Sequence, residues 1–215
     1  MARNRSRRDD NLRRHIAYLA ARLMAEDGIA DFAAAKQKAA RQAGLEGAHS
    51  LPDNSEIEEA LRDYQGLYQK DEQPLHLRHL REVAVKVMRE FEQFRPVLVG
   101  SVLNGTAGQF SDVNLQLFTD DVKSLTLFLL NKRYRFEEGT RRVRRNDRFD
   151  EVPTVSLEVD DATVSLTVLD PGDERAGARS RSPDLPPQRA RLAEVEALLA
   201  ASGASGAPPL PARSR

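Results

Sequence analysis

The sequence predicts an α+β fold, a mixed sheet with flanking helices preceded by an N-terminal helical region. Three observations carry this. Apolar residues recur at helical spacing over roughly the first 90 residues. At Pro96 the pattern turns to short apolar or alternating runs. One further helical stretch, Val122 to about Lys132, then separates two strands from three.

Each element has its own signal. Met1 to Arg8 is rich in Arg, Ser and Asn and cannot bury apolar surface, so residues 1–9 are expected to form a disordered basic arm. From about Asp10, Leu12, Ile16, Leu19, Leu23 and Met24 fall on one helical stripe, which Gly28 ends. Asp31 then caps an Ala-rich helix, Phe32 to Ala43, closed by Gly44. Leu45 to Pro52 reads as a loop. A helix from Glu56 to Gln69 buries Ile57, Leu61, Tyr64 and Leu67, and Pro74 breaks it. A longer helix spans Leu75 to Phe94, with Leu77, Leu80, Val83, Ala84, Val87, Met88 and Phe91 facing inward.

Beyond Pro96, Val97-Leu98-Val99 is a short strand buried on both faces. Val113, Leu115 and Leu117 alternate with Asn114, Gln116 and Phe118, which gives a second strand. Asp120 or Asp121 caps the helix that follows, with Leu125, Phe128 and Leu129 packed. Tyr134 to Glu137, Val155 to Val159 and Thr163 to Leu169 complete the strands, the last two joined by an Asp160-Asp161 hairpin turn. Past Asp170-Pro171-Gly172 the chain loosens. Pro183, Pro186 and Pro187 precede a last helix, about Gln188 to Ala201, and Ser202 to Arg215 reads as a flexible tail. The expected organisation is therefore a helical region at 10–74, an α/β domain at 75–170, a linker and helix at 171–201 and a tail at 202–215. No internal repeat is visible.

Composition narrows the chemistry. Lys and Arg number 33, as do Asp and Glu, so net charge says nothing of an acidic partner and local clusters must be consulted. The absence of cysteine excludes disulfides, thiolate metal sites and a cysteine nucleophile. No apolar run approaches the roughly 20 residues that span a bilayer, so no membrane partner is expected. The basic start lacks an apolar stretch behind it, which argues against a secretory signal and for a cytoplasmic location.

The stretch that stands out is Gly100-Ser101, Gly105 and Ser111-Asp112-Val113-Asn114. A turn of small residues lets backbone N–H groups approach a phosphate. Positions i and i+2 of a strand share a face, so Asp112 and Asn114 sit side by side next to that turn. A carboxylate and a carboxamide there offer oxygens to a Mg2+ ion accompanying the phosphate. The alternatives are an ordinary strand-to-helix turn at Gly100-Ser101, a cap at Asp112 and an exposed polar strand position at Asn114.

Together these residues resemble the signature of the polymerase-beta-type nucleotidyltransferase superfamily, over the region from about Leu77 to Leu169. The opening residues also look like those of bacterial nucleotidyltransferase-like proteins. The resemblance implies that Gly100, Ser101, Gly105 and Ser111 serve the nucleotide phosphates, and that Asp112 and Asn114 take the catalytic and metal positions. It implies Mg2+, a nucleoside triphosphate, and an RNA or protein acceptor that the sequence does not identify. In that superfamily three strand carboxylates hold two ions that stabilise the attacking and leaving oxygens. Here Asn114 occupies the second carboxylate position and brings no net charge. The late strand offers Ser165 and Thr167 where the third would stand, with Glu158 and Asp170 as the nearest acids. Two functions follow from this. One is transfer of a nucleotidyl group; the other is a catalytically degenerate relative that binds nucleotide or RNA or serves as a protein-interaction module.

Three further features have two readings each. Arg141, Arg142, Arg144 and Arg145, with Lys132, Arg133, Arg135 and Arg148, form the strongest basic cluster, either a phosphate-contacting surface or a solvated loop. His76 and His79 lie three apart on a helix, either a metal pair or surface histidines. Ala20 to Leu45 is similar to the opening helices of helix-turn-helix repressors, although no basic recognition helix follows.

Overall fold

The computed structural model describes residues 2–44, 51–145, 148–176 and 189–204. The Gly-containing connection at 45–50, the prolines at 183, 186 and 187, and the tail from 205 lie outside the described residues. The protein is α+β, with an N-terminal helical region and a five-stranded mixed sheet. It forms two compact units. The first comprises residues 1–77 and 105–111, the second 78–104 and 112–215, so the division falls at Leu77/Arg78 within a helix rather than before it.

The first unit is built on α1 (Ala2–Glu26), α2 (Phe32–Gln42) and α3 (Asn54–Tyr68). Helix α1 packs on both others through Ile16, Ala17, Ala20 and Leu23, against Ala35, Ala39 and Ile57. Small alanines let the backbones approach closely. Capping fixes the helix starts: Asp31 accepts from Ala34 N at 2.7 Å, and Asp53 with Glu56 forms a reciprocal capping box. Helix α1 begins at Ala2, so the segment 1–9 expected to be a disordered arm is helical backbone from its second residue. Neither Gly nor Pro interrupts it, and Ala and Arg are good helix formers. Leu67, expected to be buried, is 72% exposed.

Helix α4 (Gln73–Glu90) starts in the first unit and continues into the second. Pro74 sits in its first turn, where a missing N–H costs nothing. The expected continuation to Phe94 is instead a 3-10 turn, Glu92–Phe94, ended by Arg95 in the left-handed region (φ 51°).

In the second unit, β1 (Val97–Val99), β2 (Val113–Phe118), β3 (Phe136–Arg145), β4 (Arg148–Val159) and β5 (Ala162–Leu169) lie in the order β1-β2-β5-β4-β3. Only β2 and β5 run parallel; the other neighbours are antiparallel. A short helix, α5 (Ser101–Asn104), follows β1, and α6 (Val122–Asn131) joins β2 to β3, capped by Asp121. Helices α7 (Asp173–Ala176) and α8 (Leu192–Ala204) come last. Leu98, Val113, Leu115, Leu117, Val164, Leu166, Val155 and Leu157 occupy one sheet face and are buried; with Leu80, Val83, Val87, Met88, Leu125 and Leu129 they make the core. Asp160 and Asp161 both take positive φ (49° and 63°), the backbone of a tight two-residue hairpin. β3 and β4 are far longer than the sequence suggests, because they run on as a hairpin beyond the end of β5.

Candidate functional site: the polar face of the sheet

Strand alternation that buries Leu115 and Leu166 must turn their neighbours to the opposite face. That face carries rows of short polar side chains. Register pairs Asn114 with Ser165 and Ser165 with Ser156; the next row pairs Gln116 with Thr167 and Thr167 with Thr154. One step the other way, Thr163 pairs with Glu158, and Thr163 precedes Val164, the partner of Val113. Asp112, Thr163 and Glu158 therefore share a row. Asn114, Thr163, Ser165, Ser156 and Thr154 are half-buried, and Thr167 is buried.

Gly100 and Asn114 are brought together. Gly100 has φ 79°, a conformation that glycine adopts without strain. A Cβ there would lie 3.8 Å from Asn114 Nδ2, so the dihedral, not space, requires glycine. Ser101 opens α5 directly after it. Asn114 donates from Nδ2 to the carbonyl oxygen of Asp112 (3.1 Å), which leaves its own carbonyl oxygen as the group free to accept.

Asp112 sits one residue before β2 and is exposed overall. Protein packed around the rest of it, and secondly the Glu158 carboxylate, push its carboxyl above the usual carboxylate range. Glu158 stands two strands away, about 9–10 Å laterally, and accepts from Thr163 Oγ1 at 2.8 Å. Asp170 is no third member, since it follows Leu169, the partner of Phe118 at the far end of β2.

Gly105 and Ser111 belong to the first unit and have partners there. The Gly105 carbonyl accepts from Gln73 Nε2 (3.0 Å), and Ser111 Oγ accepts from Gly108 N (3.0 Å) within a tight turn. Gln73 also donates to the Ala107 carbonyl and buried Gln65 to that of Thr106, so this loop is anchored by two carboxamides. His79 Nε2 lies 3.0 Å from the Asp160 carbonyl oxygen.

One residue of this face escaped sequence reasoning. Arg189 donates to Gln116 Oε1 (2.8 Å) and to the Asp173 carbonyl (2.9 Å), and its guanidinium lies 5.2 Å from the centre of the Phe118 ring. It sits 73 positions from Gln116, and no local signal announces it. Below it, Val97, Phe118, Val152 and Leu169 form an apolar patch on the same face. Among the described residues no three His, Cys, Asp or Glu side chains group so as to hold a metal ion. No helix among them is long and apolar enough to cross a membrane.

Compared with protein-family models, curated proteins and solved structures, the chain finds no match.

Proposed function

We propose that the polar sheet face binds a nucleoside triphosphate as its Mg2+ complex, in a nucleotidyltransferase-like protein that lacks the carboxylate set for catalysis. The observation that carries this is the identity of the neighbours of Asp112 and Asn114. Thr163 and Ser165, both hydroxyl residues, stand on the adjacent parallel strand where a further acid would complete a metal cage. The Gly100-Ser101 turn would take the phosphates. The Asp112 carboxylate and the Asn114 carbonyl oxygen would take the ion; hard oxygen donors of this kind suit Mg2+, which commonly binds through one or two protein oxygens plus substrate phosphates. The ion would neutralise phosphate charge. The protein's own part is to orient the triphosphate and to limit repulsion, by presenting hydroxyls rather than more anions.

A second reading, nucleotidyl transfer, is favoured by one observation. Glu158 is close enough to Asp112 to raise its pKa, so a second carboxylate is within electrostatic reach. Calorimetric titration of each nucleoside triphosphate with Mg2+, followed by incubation of labelled triphosphate with RNA and protein acceptors, separates the two. Binding that Asp112→Ala abolishes, without label transfer, is the expected result. Transfer that requires both Asp112 and Glu158 would replace the binding reading with the enzymatic one. No binding at millimolar triphosphate would sink both.

A further inference from the structure

Strand order leaves β3 at one end of the sheet, with β4 on one side and, among the described residues, no strand on the other. Such an edge offers a row of backbone N–H and C=O groups to an incoming strand. Charge commonly protects edges, and this one is charged, but with both signs in a definite order. In Phe136-Glu137-Glu138-Gly139-Thr140-Arg141-Arg142-Val143 two acids precede a Gly-Thr step and two arginines follow it. Positions 137–142 are all exposed. A second copy running antiparallel brings its arginines to the acids. A parallel copy in register would set acid on acid and arginine on arginine.

Symmetry narrows the register. Side chains directly opposite one another share a sheet face, whereas neighbours along a strand do not. A two-fold axis through an antiparallel pair must therefore pass through a residue that faces itself. With Gly139 on the axis, Glu137 stands opposite Arg141 of the second copy, and Arg141 opposite its Glu137. Glu138 is then diagonal to the other Arg142, which stands opposite Phe136. Thr140 on the axis would instead set Glu137 opposite Val143. Within the chain, Arg142 has Glu151 at 3.6 Å, whereas Glu137 and Arg141 have no ion-pair partner among the described residues. The Gly139 register matches those two.

A second observation lies beside the edge. The Thr126 hydroxyl of α6 donates to Glu138 Oε1 (3.2 Å), so this side of the helix adjoins the edge strand. Leu130, one helical turn on from Thr126, is 57% exposed, and Leu127 is 59% exposed. An axis normal to the sheet puts both copies of α6 on the same side of the joined sheet, where these leucines gain cover.

We propose that β3 pairs with β3 of a second copy, antiparallel and centred on Gly139, joining two sheets into one. The proposal is independent of the nucleotide reading and uses none of its residues.

The test is sedimentation equilibrium of the full chain from about 1 μM to 1 mM, a range that reaches weak association. A dimer is expected, weakened by salt because its charge pairs are exposed. Glu137→Arg and Arg141→Glu each set like charges opposite one another twice, and each should raise the dissociation constant about tenfold or more. Mixing these two single variants restores opposite charges at both places and should recover the dimer. So should the double swap Glu137→Arg/Arg141→Glu within one chain. Recovery also shows that the exposed substitutions leave the fold intact. A chain that stays monomeric to about 1 mM would overturn the proposal and leave the edge to a strand of another protein. So would a dimer that neither single variant weakens, or a weakening that neither the mixture nor the double swap reverses.

Discussion

Ser165 is the register partner of Asn114 across the one parallel strand pair of the sheet. Two neutral side chains thus stand side by side next to the Gly100 turn. In a metal cage the same two positions would carry most of the negative charge.

That relationship predicts a gain of function. Asn114→Asp or Ser165→Asp adds a carboxylate beside Asp112 on a face that is only half-buried. Either variant is expected to bind Mn2+ and Mg2+ more tightly than the parent, read by titration with and without triphosphate. An unchanged affinity in both would mean that this row does not face an ion.

Asp112 sets a pH dependence with a definite sign. Its pKa is raised in the folded chain, so the folded state holds the proton more tightly than the unfolded state does. The ionised carboxylate therefore costs stability above the raised value, and the cost vanishes below the ordinary aspartate pKa of about 3.9. Asp112→Asn should raise Tm near neutral pH and change it little in acid. Equal shifts at both would contradict the assignment.

Arg81 links the site to the core. Buried in α4, it donates to the Val102 carbonyl (3.2 Å) and to Ser202 Oγ (3.0 Å), and burial pushes its pKa down. Arg81→Leu leaves the α5 carbonyl without this donor and should cost about 2 kcal/mol in urea denaturation. Because α5 directly follows Gly100, triphosphate binding should weaken in the same variant. A variant as stable as the parent would show that the bond adds nothing.

Gly100→Ala places a side chain at φ 79°, where an L-residue is strained although space is open. Thermal denaturation should show a loss of about 1–2 kcal/mol. Full stability would show that the turn relaxes freely.

Much of this fold was legible because local chemistry and global position agree. The Ile16 and Leu23 stripe, the Asp31 cap and the Asp160-Asp161 turn each act through neighbours a few residues away. The alternation of Val113, Leu115 and Leu117 likewise follows from burial of one face. The long β3–β4 hairpin was not legible. Its outer half is arginine-rich, and Val143 and Val152, the residues there that pack with Val97, Phe118 and Leu169, are too few to show as alternation. The polar face was half-legible: Asp112, Asn114 and Ser165 carry strand periodicity. Their row-mates, however, depend on the β2-β5-β4 order, which no spacing encodes. Arg189 reaches Gln116 from a distant segment, and Gly105 is held within the first unit by Gln73, a side chain 32 positions away.

The most direct measurement of the central claim is a residue-resolved NMR titration of the full chain with Mg2+ and a nucleoside triphosphate. The account predicts shifts at residues 99–102, 112–116 and 163–167, all lost in Asp112→Ala. Shifts that leave those residues untouched, for instance confined to the groove of Arg78, Lys86, Arg89 and Glu196 between α4 and α8, would contradict it.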